Sequence, residues 1–283
     1  MATIVILEHR LHKFLNGSYT LYPLAERWRS GGHRVHIHYG CENPPPGDLA
    51  ILHLDLSVVP AEYRPLVAMY PRVVNAAVLD IRKSTFSQNM VDRDSDWKGP
   101  VIVKTDANSL GGPERRLNRL ARSGRTLRLF TRREKVGEEI PTGPSLPSYE
   151  VFASPRDVPF EFWTTPGLVV EKFLPEQDER GFYLRVWTFL GDRERSSRCR
   201  ATEPYIKSGN VIERESVPVP DEIRAWRERL GFDYGKFDYV LHQGRPVLLD
   251  VNRTPGPAPK LPGDQSARSG FLSLAEGLNV FLS

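Results

Sequence analysis

Two hydrophobic rhythms alternate along the first eighty residues. Residues 3–8, "TIVILE", form a short apolar run rich in β-branched side chains, the signature of a strand. Residues 19–32, "YTLYPLAERWRSGG", carry the wider spacing of a helix and end on Gly31-Gly32. Residues 33–40, "HRVHIHYG", return to alternation in twos. A further strand-like run, "DLAILHLDLSVV", leads through Pro60 into a helix-like "AEYRPLVAMY" and a short extended "RVVNA". Strands alternating with helices predict a small parallel α/β unit over residues 1–80. No G-x-G-x-x-G follows the first strand, so a dinucleotide fingerprint is absent.

From residue 81 the pattern changes. Strand-like runs follow at "GPVIVKTD", "GLVVEKFL", "FYLRVWTFLG", "KFDYVLH" and "PVLLDVN", with hairpin signals between them and few long helices. Residues 81–283 therefore read as a second, mixed and largely antiparallel α+β unit. The Pro-rich stretch 138–160 keeps its apolar residues and reads as a surface connection. The apolar residues are enough for one large core or two smaller ones in 283 residues, and no window is apolar enough to span a bilayer. Glu8 and His9 interrupt the first apolar run too early for a signal peptide, which makes the cytoplasm the expected location.

Composition narrows the chemistry. Cys41 and Cys199 are far apart, without the spacing of a zinc site or a disulfide framework. His33, His36 and His38 read as alternating positions of a strand. Charge is uneven: between residues 114 and 135 there are eight Arg and one Lys against two Glu, a local +7 in a chain of net +4. Such a segment could hold phosphates or nucleic acid. It also fits a solvated amphipathic helix with Leu117, Leu120 and Leu127 turned inward.

The most specific signal is "FDYVLHQGRPVLLDVN". Two strand-like runs meet at Gln243-Gly244-Arg245, which predicts a three-residue hairpin loop with Gly244 at a positive-φ position. Asp238 and Asp250 each lie six residues from Gly244, so the hairpin makes them cross-strand neighbours with Cβ atoms about 5 Å apart. Alternation places Asn252 on the face of Asp250. Two carboxylates and an amide oxygen form a hard, oxygen-only donor set suited to Mg²⁺. The flanking Val247, Leu248, Leu249 and Val251 argue against a solvated surface hairpin.

Magnesium with few protein ligands commonly takes phosphate oxygens as its others. "GPVIVKTDANSLGGPE" offers a phosphate-binding segment: Lys104 on a strand, then a polar loop with Asn108, Gly111 and Gly112. It lacks the P-loop order, and a flexible hairpin tip would look the same. In "LVVEKFLPEQDERGFYLRVWTFLGD" a strand ends at 171–174, an acidic turn follows, and the next strand bears Arg185. A linker of this kind can present backbone groups to an adenine edge and acids to ribose hydroxyls, or it can be an ordinary strand-turn-strand.

Taken in order, Lys104 with its glycine-containing loop, "EKFL", "YLRVWTFLGD" and the set Asp238, Asp250 and Asn252 resemble the ATP-grasp superfamily over residues 81–260. "EKFL" is similar to the hinge of D-alanine:D-alanine ligases. "LRVWTFLGD" is similar to a strand of the glutathione synthetase and ribosomal-protein glutamate ligase group. The resemblance implies an ATP-grasp domain of two α+β subdomains preceded by the small α/β domain, with ATP and Mg²⁺ as the ligands.

The resemblance also implies residue roles. Lys104 and Lys83 would bind phosphates; Glu171, Lys172, Phe173 and Leu174 would form the adenine hinge; Glu179 would hold the ribose. Arg185 would neutralise the γ-phosphate or an acyl-phosphate, and Lys207 and Asn210 would contact nucleotide or substrate. Asp238, Asp250 and Asn252 would hold Mg²⁺, with Asp250 standing where the family usually has Glu. The implied activity is ATP-dependent joining of a small-molecule or peptide carboxylate to an amine. A nucleotide-binding protein with a regulatory or assembly role, and a ligase that holds RNA on its Arg-rich segment, are the alternatives.

Overall fold

The computed structural model describes residues 1–15, 19–123, 140–207, 209–257 and 273–283. Strands β1 (Thr3–Glu8), β2 (Arg34–Tyr39), β3 (Leu49–Leu52) and β4 (Val73–Val74) form one parallel sheet in the order β2-β1-β3-β4. Helix α1 (Leu21–Ser30) lays Leu21, Leu24, Ala25 and Trp28 on one face of that sheet. Helix α2 (Arg64–Val67) and the turn before it cover the other face with Leu66 and Tyr63. Strands β1 and β3 are therefore buried on both sides, which explains their unbroken apolar runs. Edge strand β2 alternates, and His36 lies on its exposed face.

A short helix, α3 (Lys83–Phe86), leads into a three-stranded antiparallel sheet. Its strands are β5 (Val101–Thr105), β6 (Glu150–Phe152) and β7 (Leu168–Lys172), in the order β6-β5-β7. Helix α4 (Gly112–Arg122) follows β5, and α5 (Phe160–Thr164) precedes β7. The Pro-rich stretch read as a surface connection thus contains an edge strand, β6, short enough to leave no alternation signal. Leu117 is fully buried in α4 and Leu120 packs beside it, while Leu127 and most of the Arg-rich segment lie outside the described residues.

The third sheet has six strands: β8 (Glu176–Asp178), β9 (Gly181–Leu190), β10 (Arg193–Ala201), β11 (Glu213–Ser216), β12 (Tyr234–His242) and β13 (Arg245–Asn252). They run antiparallel in the order β11-β10-β9-β12-β13, with β8 beside the start of β9. Helix α6 (Asp221–Leu230) covers one face, where Trp187, Phe189, Phe237, Tyr239, Leu248 and Val251 are buried. Strands β10 and β11 carry too little apolar alternation for the sequence to announce them. One face of β10 contributes Arg195, Ser197 and Cys199 to a cavity, so no hydrophobic stripe is required there.

The last segment returns to the first sheet. Leu274, Ala275 and Leu278 share a core with Ile4, Ile6, Leu24 and Trp28, joined by Leu190 and Tyr234 from the large sheet. The Trp28 indole N–H donates to the Ala275 carbonyl at 2.8 Å. The Asn75 side chain donates to the Tyr234 carbonyl at 2.8 Å and accepts the Asp233 and Tyr234 amides at 3.0 Å each.

The β12–β13 hairpin reaches its expected pairing by a different route. His242 faces Arg245, leaving only Gln243 (φ 50°) and Gly244 (φ 78°) in the turn, a two-residue connection with both φ positive. Pairing runs in step as far as Tyr239 and Leu248, and then Asp238 pairs with Asp250. Leu249 is the extra residue of a β-bulge. A shorter turn plus one bulged residue restores the register that the three-residue loop was expected to give.

Candidate functional site

Between the small antiparallel sheet and the large one lies a cavity of about 520 Å³. Its floor is the face of the large sheet opposite α6, and the strand register lays that floor out in rows. Leu184, Cys199 and Arg214 form one row. Asp250, Asp238, Val186 and Ser197 form the next. Asn252, Lys236, Thr188 and Arg195 form the row nearest the parallel sheet. The other wall comes from Ile102 and Lys104 on β5, the 172–175 segment, Ser109 and Lys83.

The acidic row carries the strongest signal. Asp238 and Asp250 are direct cross-strand partners, and Oδ1 of each is buried without a hydrogen-bond partner. Burial raises the Asp238 pKa; Asp250 adds to the rise, and Lys236 opposes both. Lys236 Nζ lies 2.7 Å from Asp238 Oδ2, and Lys83 Nζ lies 3.5 Å from Asp250 Oδ1. Burial disfavours the Lys236 charge, but the Asp238 carboxylate outweighs it and raises the lysine pKa. Asn252 Oδ1 accepts the Thr254 N–H at 2.8 Å. Orphaned carboxylate oxygens beside an amide oxygen fit a hard divalent cation, although no group of three or more His, Cys, Asp or Glu among the described residues forms a metal cluster.

Lys83 and Lys104 both reach the cavity from separate elements. Lys83 begins α3 and is almost fully buried; its Nζ contacts the Ala107 carbonyl at 3.4 Å. Lys104 lies on β5 and forms a 2.6 Å ion pair with Glu171 of β7. Glu171, expected at the adenine edge, is buried beneath Lys104 and does not line the cavity. Lys172, Phe173 and Leu174 do line it. The Lys172 amide is bound by the Asn89 carbonyl at 2.7 Å and the Phe173 amide by the Pro100 carbonyl at 2.9 Å. Among the described residues the Leu174 amide has no such partner.

Several expected residues stand elsewhere. Arg185 shares the phase of Trp187 and Phe189 and points to the helix-covered side of the sheet. There Glu176 clamps it at 2.8–3.2 Å, and Glu176 also accepts the Leu241 amide at 2.7 Å. The arginines on the cavity side are Arg195 and Arg214. Glu179 lies exposed in the β8–β9 turn, away from the cavity. Asn210 folds back on its own turn, accepting the Lys207 amide at 2.8 Å and donating to the Tyr205 carbonyl at 3.0 Å. Lys207 itself lines the cavity, with Nζ 4.6 Å from the centre of the Tyr205 ring.

The loop after Lys104 is tightly wound, with positive φ at three successive residues, Ser109, Leu110 and Gly111. Asn108 is buried and its N–H donates to Ser57 Oγ at 2.8 Å. Of this loop only Ser109 lines the cavity; Asn108, Gly111 and Gly112 shape it from behind. Sequence reasoning missed Lys236, Thr188 and Tyr149 in the lining. Counting back two residues from Asp238 would have found Lys236. Tyr149 comes from a stretch without periodicity; its ring packs edge-on against Tyr205 at 5.1 Å.

No family model matches the chain, and no curated protein matches it in sequence. Solved structures do. The macrocyclase MdnC bound with precursor peptide MdnA, from Microcystis aeruginosa, superimposes with a TM-score of 0.54 at 10% identity, covering 99% of this chain and 100% of that one. The RimK domain protein ATP-grasp from Sphaerobacter thermophilus gives 0.53 at 13% identity with 100% of both chains covered. D-alanine–D-alanine ligase from Bacillus anthracis gives 0.50 at 12% identity, covering 100% and 99%. Matching end to end, with the cavity between two antiparallel sheets and a parallel sheet in front, the chain has the ATP-grasp fold.

Proposed function

We propose that the chain is an ATP-dependent ligase that activates a carboxylate and joins it to an amine. The observation that carries this reading is the Asp238–Asp250 pair, each with a bare buried oxygen, facing a cavity whose opposite wall supplies Lys83 and Lys104. We further propose a division near residue 80 between a substrate-facing unit and the nucleotide-binding remainder.

The nucleotide would lie along the rows of the large sheet. Adenine would occupy the apolar slot formed by Ile102, Leu174, Leu184 and Val240, with the Leu174 amide as its donor. The phosphates would run toward the acidic row, with Lys83 and Lys104 beside them. Asp238, Asp250 and Asn252 would hold Mg²⁺, which when bound supplies positive charge to the phosphate oxygens. Lys236 and Arg195, one row further on, would take the place first given to Arg185 and neutralise the transferring phosphoryl group.

In the reaction, a substrate carboxylate oxygen attacks the γ-phosphorus, the bond to the bridging oxygen breaks and ADP leaves. The amine nitrogen then attacks the acyl carbon, phosphate leaves, and a proton is lost from nitrogen. No protein nucleophile is needed, because positioning and charge neutralisation carry the step. The solved macrocyclase bound to a precursor peptide supports a peptide among the substrate classes to be tried.

The expected result is ADP release that depends on both Mg²⁺ and a carboxylate, abolished in Asp250→Asn and in Lys104→Ala. Full turnover by either variant sinks the proposal. The aspartate at position 250, in place of the glutamate usual in this family, favours one rival: a protein that binds ATP without turning it over. Calorimetric ATP binding with no ADP release across broad carboxylate and amine panels would establish that rival instead.

A further inference from the structure

The residues just after the metal strand connect it to the parallel sheet. Arg253 is fully buried and donates to the carbonyls of Leu54, Leu56 and Val78, fixing the backbone at this point. Next along the chain, the Thr254 hydroxyl stands between two acceptors, Asp55 Oδ1 at 2.9 Å and Asn252 Oδ1 at 3.3 Å. A hydroxyl has one proton and donates to one of them at a time. Asp55 is nearer and carries charge, held by Arg116 at 2.9 Å and by the Tyr19 hydroxyl at 2.7 Å, both on Oδ2.

The choice matters for Asn252. Its Oδ1 already accepts the Thr254 N–H at 2.8 Å, and an amide oxygen has two lone pairs. Were the hydroxyl to donate there too, no lone pair would remain for a cation. We propose that Asp55 is a positioning residue for the metal row: by taking the Thr254 hydroxyl proton it keeps the Asn252 amide oxygen open to a divalent cation. The inference rests on the reading of Asp238, Asp250 and Asn252 as cation ligands. It adds that the parallel sheet, through a residue nearly two hundred positions away, sets the ligand quality of the hairpin.

Substitution of Asp55 by Asn makes this testable. Arg116 and Tyr19 would draw the new amide oxygen to their side, leaving Nδ2 facing the Thr254 hydroxyl and turning its proton toward Asn252. Mn²⁺ titration of the full chain with ADP present, followed by electron paramagnetic resonance, reads cation binding directly. Calorimetry with ADP in EDTA checks that each variant is folded and binds nucleotide.

Asp55→Asn is expected to weaken Mn²⁺ about ten-fold, the effect usual for a partner of a metal ligand, with ADP binding in EDTA unchanged. Thr254→Val removes the competing proton, so the Asp55→Asn/Thr254→Val double variant should return to within about three-fold of the starting protein. A merely structural Asp55 would leave the double variant as weak as the single one, and that result overturns the inference. Unchanged Mn²⁺ affinity in Asp55→Asn also overturns it. Absence of Mn²⁺ binding in the unsubstituted protein would instead bring down the cation-site reading, and the inference with it.

Discussion

Carboxylates gather in two regions of this molecule, buried in one and half-buried in the other, and are treated in opposite ways. At the carboxyl ends of β1 and β3, Glu8 and Asp55 are surrounded by donors. Glu8 accepts the Tyr22 hydroxyl at 2.9 Å and lies 3.2 Å from His53 Nδ1 and 3.4 Å from His12 Nδ1. In the cavity, Asp238 and Asp250 each keep an oxygen with no hydrogen-bond partner, Lys83 reaching that of Asp250 only at 3.5 Å. Every carboxylate oxygen of the first pair has a donor within the protein, while one oxygen of each acid in the second has no hydrogen-bond donor, the place of the proposed cation.

Burial alone would raise the Glu8 pKa, but hydrogen bonds from His12 and His53 outweigh it and hold it at about 2 against an ordinary 4.5. The largest expected effect therefore comes from breaking this cluster. Glu8→Gln should cost about 3 kcal/mol of stability at pH 7, read by chemical denaturation. Asp238→Asn should cost much less in the same assay, because relief from burying a charge beside Asp250 offsets the lost Lys236 contact. Equal losses in the two variants would erase the distinction between the regions.

A pH series sharpens the same comparison. A folded pKa below the unfolded one means that the unfolded chain takes up the proton first, so stability falls with falling pH. For Glu8 that loss spans about pH 4.5 down to 2. Burial, with help from the nearby charges of His12 and Arg10, pushes His9 down to about 3 from 6.5, so its loss begins already below pH 6.5. Each group contributes a slope of up to about 1.4 kcal/mol per pH unit inside its window. His9→Asn should flatten denaturation midpoints between pH 6.5 and 4.5 and leave only the Glu8 slope below that.

The smallest predicted difference lies across one sheet. Lys236→Gln should weaken a non-hydrolysable Mg-ATP analogue about ten-fold, the loss of one charged contact. Arg185→Lys, on the far face, should stay within about two-fold. Calorimetry on both variants checks which face of β9 and β12 the nucleotide meets.

How much of this was readable beforehand follows from the range of each signal. The Asp238–Asp250 pairing was legible because both acids lie in one hairpin, and the parallel sheet because β1 and β3 are apolar throughout. Arg185 was misplaced because motif order says nothing about strand phase; its neighbours Trp187 and Phe189 held the answer. Strand β10 was silent because a cavity-facing strand needs no apolar stripe. Asp55 and Thr254 could not be joined from sequence, since 199 residues separate them and neither carries a local pattern.

The single bulged residue Leu249 has a consequence for how this gene can change length. Leu248 and Asp250 stand two positions apart yet face the core and the cavity respectively, because Leu249 between them is unpaired. The Gln243-Gly244 tip is exposed and can absorb insertions. Deleting Leu249 would likewise leave Asp250 on the cavity face and opposite Asp238, directly after Leu248, whereas inserting a residue between Asp250 and Asn252 would turn one of the two away. Surviving variants of this chain should therefore differ in length at the tip or at the bulge and keep the two-residue step from Asp250 to Asn252 unchanged.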